Sequence, residues 1–180
     1  AMPSIEEGAA QVLMAPAAAM MAARRYDSAL VYLRLMQRLQ PDREDSWLLL
    51  AELMNQVRDV DGARDALNRI KPGSTRYIAA RTRLALSYQK DNPAEALRMA
   101  RETAVLAKDD PDAQLALADV LRAQDRFDES AAILDALIAA DPARADWTYY
   151  YMRGAALERG GRWEAGQADM QKALSLRPDE

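Results

Sequence analysis

A protein that does chemistry needs side chains that move protons, hold metals or attack electrophiles, and this 180-residue chain lacks most of them. It contains no His and no Cys, which removes the commonest general base, thiolate nucleophiles, the usual zinc ligands and any disulfide. Paired carboxylates remain at Asp109-Asp110 and Asp128-Glu129. Both pairs fall at expected helix boundaries, where capping and the helix dipole already account for acidic residues. No glycine-rich phosphate loop, metal-ligand spacing or nucleophile beside a base is present in the sequence. The chain is therefore expected not to be an enzyme, with no catalytic residues, no metal and no cofactor. Recognition is the remaining task. Its most conspicuous candidate is the aromatic cluster Trp147, Tyr149, Tyr150 and Tyr151. These residues span more than one helical face, so some must pack inwards while Tyr151 and Trp147 stay outside.

The elements that would position such groups are helices. Half of the residues are hydrophobic but only 6% aromatic. Stretches such as DSALVYLRLMQRLQ and DESAAILDALIAA repeat apolar residues at helical steps and never in strict alternation. An all-α fold follows. The net charge is -4, and positive charge is carried by scattered Arg, which argues against a surface that tracks phosphates. The uncharged run from Gly8 to Ala23 follows Glu6 and Glu7 and contains Pro16. It reads as a buried helix, because a signal peptide wants a basic start and a membrane-spanning helix more length. No membrane insertion by this segment is expected.

Internal periodicity organises the chain. Small residues recur at Ala17, Ala51, Ala85, Ala118 and Gly154, with steps of 34, 34, 33 and 36, and larger apolar residues follow three positions later at Met20, Met54, Tyr88, Leu121 and Leu157. A second small column runs through Ala29, Ala63, Ala96, Ser130 and Gly166, with Leu33, Leu67, Ala100, Leu134 and Met170 four residues beyond it. Columns that prescribe size as well as polarity are expected where two helices approach closely, small residue against large. Each hairpin leaves an apolar face for the next to cover, which is why such repeats come in arrays.

The segments RYDSALVYLRLMQRLQPD, DRFDESAAILDALIAADP and GRWEAGQADMQKALSLRPDE resemble the second helix of tetratricopeptide (TPR) motifs. They share an opening aromatic (Tyr26, Phe127, Trp163), the small column and a closing proline (Pro41, Pro142, Pro178). The resemblance implies a right-handed α-solenoid of about five TPR hairpins, or about ten antiparallel helices, as a single array over residues 1–180. The repeats are expected at about 10–43, 44–73, 74–109, 110–144 and 145–180. Departures are local. The third repeat is one residue short between its helices and has Pro93 in place of the aromatic, and two extra residues lie around Ala143 to Tyr149. Pro16 should kink the first helix. Asn92-Pro93-Ala94-Glu95 reads as a cap, a first-turn proline and a Glu reaching back. Asp110-Pro111 and Asp141-Pro142 read as similar helix starts. Gly160-Gly161 offers the left-handed geometry that ends a helix.

Further expectations rest on the resemblance. In TPR arrays the first helices line a concave groove, reached by the residues three before, one after and four or five after the small column. Those positions hold Leu48, Glu52, Asn55 and Gln56 in the second repeat and Thr82, Leu86 and Gln89 in the third, with Arg83 adjacent. The fourth repeat supplies Leu115, Asp119 and Arg122, and the fifth supplies Tyr151, Glu158 and Arg159. The mixture of aliphatic, aromatic and charged groups suits a protein or peptide partner, so the chain is expected to be an interaction scaffold or adaptor. TPR domains that clamp a terminal carboxylate use Lys and Asn where this chain has Met14, Ala18, Leu49, Ala79 and Arg83, so that mode is not expected. The repeats are similar to those within large proteobacterial TPR proteins, and the excess of Arg over Lys, 20 to 4, fits a GC-rich bacterial source. A fragment of a longer protein, with a lean to the cell envelope or periplasm through its parent, is the expectation. Self-association through uncapped ends is expected as well. The alternative is a regulatory or oligomerising region of a larger enzyme. RNA binding through a related helical repeat would need a basic groove; titration with labelled single-stranded RNA at low salt should show no binding, and saturable binding would overturn the reading of the charge.

Overall fold

The computed structural model describes residues 5–177, with side chains from residue 8 onward, so Pro178 lies outside the described residues. The described residues form ten α-helices and no strand. These are α1 (Ile5–Ala22), α2 (Tyr26–Leu39), α3 (Glu44–Gln56), α4 (Val60–Asn68), α5 (Tyr77–Ser87), α6 (Pro93–Leu106), α7 (Pro111–Ala123), α8 (Phe127–Ala140), α9 (Trp147–Arg159) and α10 (Trp163–Leu176). The chain divides into two compact units, Ala1–Leu84 and Ala85–Glu180. In the first, α1 packs on α2 and α3 on α4, and α2 meets α3. In the second, α7 packs on α8 and α9 on α10, while α6 meets α7 and α8 meets α9.

Both small columns are buried in every repeat, and the closest approach explains why. A Cβ built on Gly166 of α10 would stand 3.0 Å from the backbone oxygen of Gly154 and 3.0 Å from the backbone nitrogen of Glu158 in α9. One built on Gly154 would stand 3.1 Å from the backbone oxygen of Gly166. The two columns therefore touch, backbone to backbone. One repeat earlier the same positions hold Ala118 and Ser130, and the Ser130 hydroxyl donates to the Ala118 carbonyl at 2.7 Å. Where a side chain does enter this contact it is short, and its polar atom is satisfied by the carbonyl it meets. The residues four beyond the second column, Leu33, Leu67, Ala100 and Leu134, are buried beside it.

Turns inside the hairpins follow one rule with one exception. The N–H of Arg25, Asp59, Arg126 and Arg162 reaches back to the carbonyl of Met20, Met54, Leu121 and Leu157, at 2.8, 2.8, 3.0 and 2.8 Å. The preceding residue in each is left-handed: Arg24, Arg58, Asp125 and Gly161, with φ of 55, 62, 59 and 82°. This is the Schellman closure of a helix, which needs a positive φ at one residue. In the third repeat, one residue shorter, Asn92 N–H bonds the Tyr88 carbonyl at 2.9 Å instead. There the end of α5 tightens through Tyr88 to Ala85 and Gln89 to Leu86 bonds of 3.1 and 3.2 Å, the i to i-3 pattern of a 3₁₀ turn.

Helix starts agree with expectation in part. The Asn92 side chain accepts from Glu95 N–H at 3.2 Å with Pro93 in the first turn, and Asp110 accepts from Asp112 N–H at 2.9 Å with Pro111 following. The Glu95 carboxylate takes Arg98 Nε at 2.8 Å and Nη2 at 2.5 Å, a nearby cation being a strong donor. Asp141-Pro142 does not open a helix. Asp141 ends α8 and its side chain accepts from Arg144 N–H at 3.1 Å, so the added residues form a turn and Asp146 becomes the cap of α9, accepting from Thr148 N–H at 2.8 Å. Pro16 lies inside an uninterrupted α1. Gly161, not Gly160, takes the left-handed role.

Replacing Gly166 with Ala sets a helix-propensity gain of about 1 kcal/mol against overpacking of about 1–3 kcal/mol. Because the clashing atoms are backbone, the second wins: Gly166→Ala should lower stability by up to about 2 kcal/mol in urea unfolding. Gly8→Ala, with nothing within 4 Å of its Cβ, should leave it unchanged or higher. A stabilised Gly166→Ala would mean the columns do not set the helix spacing.

Candidate interaction surface

The groove residues expected from the sequence fall in both units. In the first unit, Leu48, Glu52 and Asn55 succeed one another at helical spacing on α3, so they share a face. Leu48 and Glu52 are half-buried and Asn55 is exposed. Glu52 accepts from the Gln56 side-chain amide at 3.0 Å. Arg83 is exposed on α5.

In the second unit Leu115, Asp119 and Arg122 occupy one face of α7, all three half-buried. Here the structure makes a network. Arg122 Nη2 donates to Asp119 Oδ1 at 2.5 Å, and Gln89 Nε2 donates to Asp119 Oδ2 at 3.0 Å. Asp119 thus uses both oxygens, and the Arg122 head is held by a charge-assisted bond that fixes its direction. On α9, Tyr151 is 51% exposed, its ring centroid 6.2 Å from that of Trp147. Glu158 is exposed two turns further on. Arg159 is exposed but leans back, its guanidinium carbon 5.8 Å from the Phe127 ring centroid at the start of α8. The aromatic cluster divides: Tyr151 is exposed as expected, but Trp147, expected outside, is half-buried. Tyr149 is buried, and burial raises its phenol pKa above the usual value. Tyr150 has the Arg153 and Lys172 cations over its ring at 5.7 and 5.9 Å, and Trp147 is covered by the Arg177 guanidinium at 4.4 Å.

One polar network was not legible in the sequence. Arg153 of α9 donates Nε and Nη2 to Asp169 of α10 at 2.6 and 2.7 Å, and Nη1 to Asp135 of α8 at 2.7 Å. The Asp169 side chain is only 9% exposed. Hydrogen bonding to Asp169 first, opposed by burial, holds the Arg153 guanidinium firmly charged. These partners stand 16 and 18 residues from Arg153, a separation that no local spacing rule reads. The network pins three successive helices, α8, α9 and α10.

Among the described residues no group of three or more His, Cys, Asp or Glu could hold a metal ion, and no helix is long and apolar enough to cross a membrane. Paired helices that meet at two small columns, repeated along the chain, define a helical-hairpin repeat protein. The family model described as tetratricopeptide repeat matches residues 4–180, and the chain belongs to that family. No curated protein matches the sequence. Among solved structures, the type IV pilus biogenesis factor PilW is 18% identical with a TM-score of 0.79, over 95% of this chain and 79% of that one. A thermophilic TPR protein from Thermus thermophilus is 17% identical with a TM-score of 0.76, over 95% and 93%. YrrB, described as a TPR protein with an unusual peptide-binding site, is 16% identical with a TM-score of 0.62, over 93% and 86%. At such identities the likeness shows the fold, an all-α solenoid of TPR hairpins. TPR folds fit protein-interaction scaffolds and generally bind proteins or peptides.

Asp169→Ala leaves Arg153 with one partly exposed partner. Breaking a buried pair costs about 3–5 kcal/mol; with Asp135 retained and the Arg153 head partly solvated, a loss of about 2 kcal/mol is expected. The exposed Arg162–Asp128 pair, at 2.8 Å, is the control, and Asp128→Ala should change stability by less than about 1 kcal/mol. Equal losses in chemical denaturation would show that the Arg153 network carries no special weight.

Proposed function

We propose that this chain is a non-catalytic binding module that takes a peptide or protein segment on the first-helix surfaces of its second unit. The observation that carries the reading is the Gln89–Asp119–Arg122 chain of hydrogen bonds beside Leu115 on α7. A guanidinium held in one direction before the partner arrives loses less side-chain freedom on binding than a free one. Leu115 supplies apolar area next to it, and Tyr151 on α9 supplies a half-exposed aromatic, the residue type with Arg that dominates binding hot spots.

The chemistry of this surface describes its partner. Arg122 is already neutralised by Asp119, so it offers N–H donors more than net charge, and a backbone carbonyl or amide suits it better than a terminal carboxylate. Leu115 and Tyr151 ask for an aliphatic or aromatic anchor. A segment alternating apolar side chains with free backbone acceptors meets both demands. YrrB, whose description mentions an unusual peptide-binding site, shares the fold, which supports a peptide reading without assigning the same residues. Arg159 contributes less than the sequence implies, because it leans on Phe127.

Peptides selected from a random display library on the wild-type chain should shift the amide resonances of Leu115, Asp119, Arg122 and Tyr151 in titrations of the labelled protein. The double variant Arg122→Ala, Tyr151→Ala should fold normally and bind those peptides about 30-fold or more weakly, a hot-spot loss of about 2 kcal/mol. Shifts confined to α8 and α10, or unchanged affinity in the folded double variant, would move the site elsewhere.

A further inference from the structure

Successive hairpins meet through a fixed set of positions. On the first helices, the residues five before and two after the small column are buried: Ser46 and Leu53 on α3, Ala113 and Val120 on α7, Tyr149 and Ala156 on α9. On the second helices that a following hairpin covers, the residues seven and eight after the second small column are buried on α2 (Met36 and Gln37) and α6 (Thr103 and Ala104) and half-buried on α8 (Leu137 and Ile138). Two places in the chain show half of this interface without its counterpart.

The first is α1. Its residues in the two first-helix positions are Val12, 71% exposed, and Ala19, also exposed. Ala15 lies between them at helical spacing and is exposed too. Together they make one uncharged apolar stripe of the type that α3, α7 and α9 bury.

The second is the groove between α9 and α10, an open cavity of about 240 Å³ lined by Trp147, Tyr151, Met170, Ala173, Leu174 and Arg177. Leu174 holds the position of Gln37 and Ala104 yet is 62% exposed. One repeat earlier, the equivalents of Trp147 and Ala173 are Pro111 and Leu137, and there Tyr149 from the next first helix lines the same cavity with them. In the register of the columns, Val12 is the residue of α1 that corresponds to Tyr149.

We propose that copies of this chain associate head to tail, the Val12–Ala15–Ala19 stripe of α1 in one copy seating in the α9–α10 groove of the next. The occupant is a second copy because, among the described residues, α1 presents the first-helix register of the interior interface uncovered, and the groove leaves Leu174 of its second-helix register exposed beside the buried Ala173. Each supplies what the other lacks, so the junction continues an interface already used between hairpins. An apolar helix in an apolar groove removes both surfaces from water. Because the two surfaces differ, each copy keeps one unfilled surface after the first contact, which takes a further copy unless the ends close into a ring. The proposal stands apart from the peptide reading except at Tyr151, which lines this groove and is also placed on the peptide surface.

Light scattering coupled to size exclusion tests it, across a range of concentrations. The wild-type chain should rise in mass from that of the 20.0 kDa monomer through dimers to larger species. Val12→Glu and Leu174→Glu change exposed positions, should keep their helical signal and melting temperature, and should each be monomeric alone. Mixed one to one, they should form a dimer and stop there, since each retains the surface the other has lost. Should Val12→Glu fail to fold, Ala15→Arg tests the same stripe. A wild type that stays monomeric at high concentration overturns the proposal. So does a mixture that fails to pair, or a Val12→Glu variant that still dimerises, which would place two copies groove to groove.

Discussion

Two helices can lie backbone to backbone only where neither carries a side chain of any size, and this contact governs the rest of the molecule. At Gly154 and Gly166 the backbones of α9 and α10 come so close that a methyl group would meet main-chain atoms on the other helix. At Ala118 and Ser130 the same contact is closed by a hydroxyl on a carbonyl. Once the pair is set at this distance, the larger residues on either side have defined places. Leu121 and Leu157 stand one turn along the first helix, and Leu134 stands one turn along the second, each buried. Close packing then passes from one pair to the next through the faces left over, as ridges seat in grooves.

The turns are subordinate to this contact. Four of them use a left-handed residue to bring the chain back, and three of those residues are Arg24, Arg58 and Asp125, which bear that conformation without glycine's freedom. The fold tolerates the strain because the return must be tight for the columns to meet. The third hairpin, one residue shorter, avoids the left-handed turn and tightens its helix end instead. Polar groups are arranged to the same end. Arg153 reaches both Asp135 and Asp169, linking helices that the apolar columns have already placed beside one another.

The consequence for recognition is a division of labour along each first helix. Residues near the small column are committed to packing, and the positions between are released to vary. That explains how structures 16 to 18% identical to this chain share its fold, since the columns prescribe only size. It also explains why the fold alone selects no partner. Asp119, Arg122, Leu115 and Tyr151 stand at such positions, where the proposed partner would meet the chain.

The sequence by itself determined the helices, their pairing and the contact columns, because the size pattern at Ala118, Ser130, Gly154 and Gly166 is a direct imprint of steric exclusion and repeats at fixed intervals. Caps at Asn92 and Asp110 were equally legible, being local hydrogen bonds between near neighbours. The sequence could not distinguish Asp141-Pro142 from those caps, because whether a proline opens a helix or follows one depends on how the added residues turn. Nor could it join Arg153 to Asp169 or Gln89 to Asp119, pairs 16 and 30 residues apart. It did not foresee that Arg159 would lean on Phe127. Those choices belong to the tertiary structure, since long polar side chains settle on whatever partner the packed backbones bring within reach, and that geometry exists only after the columns have closed.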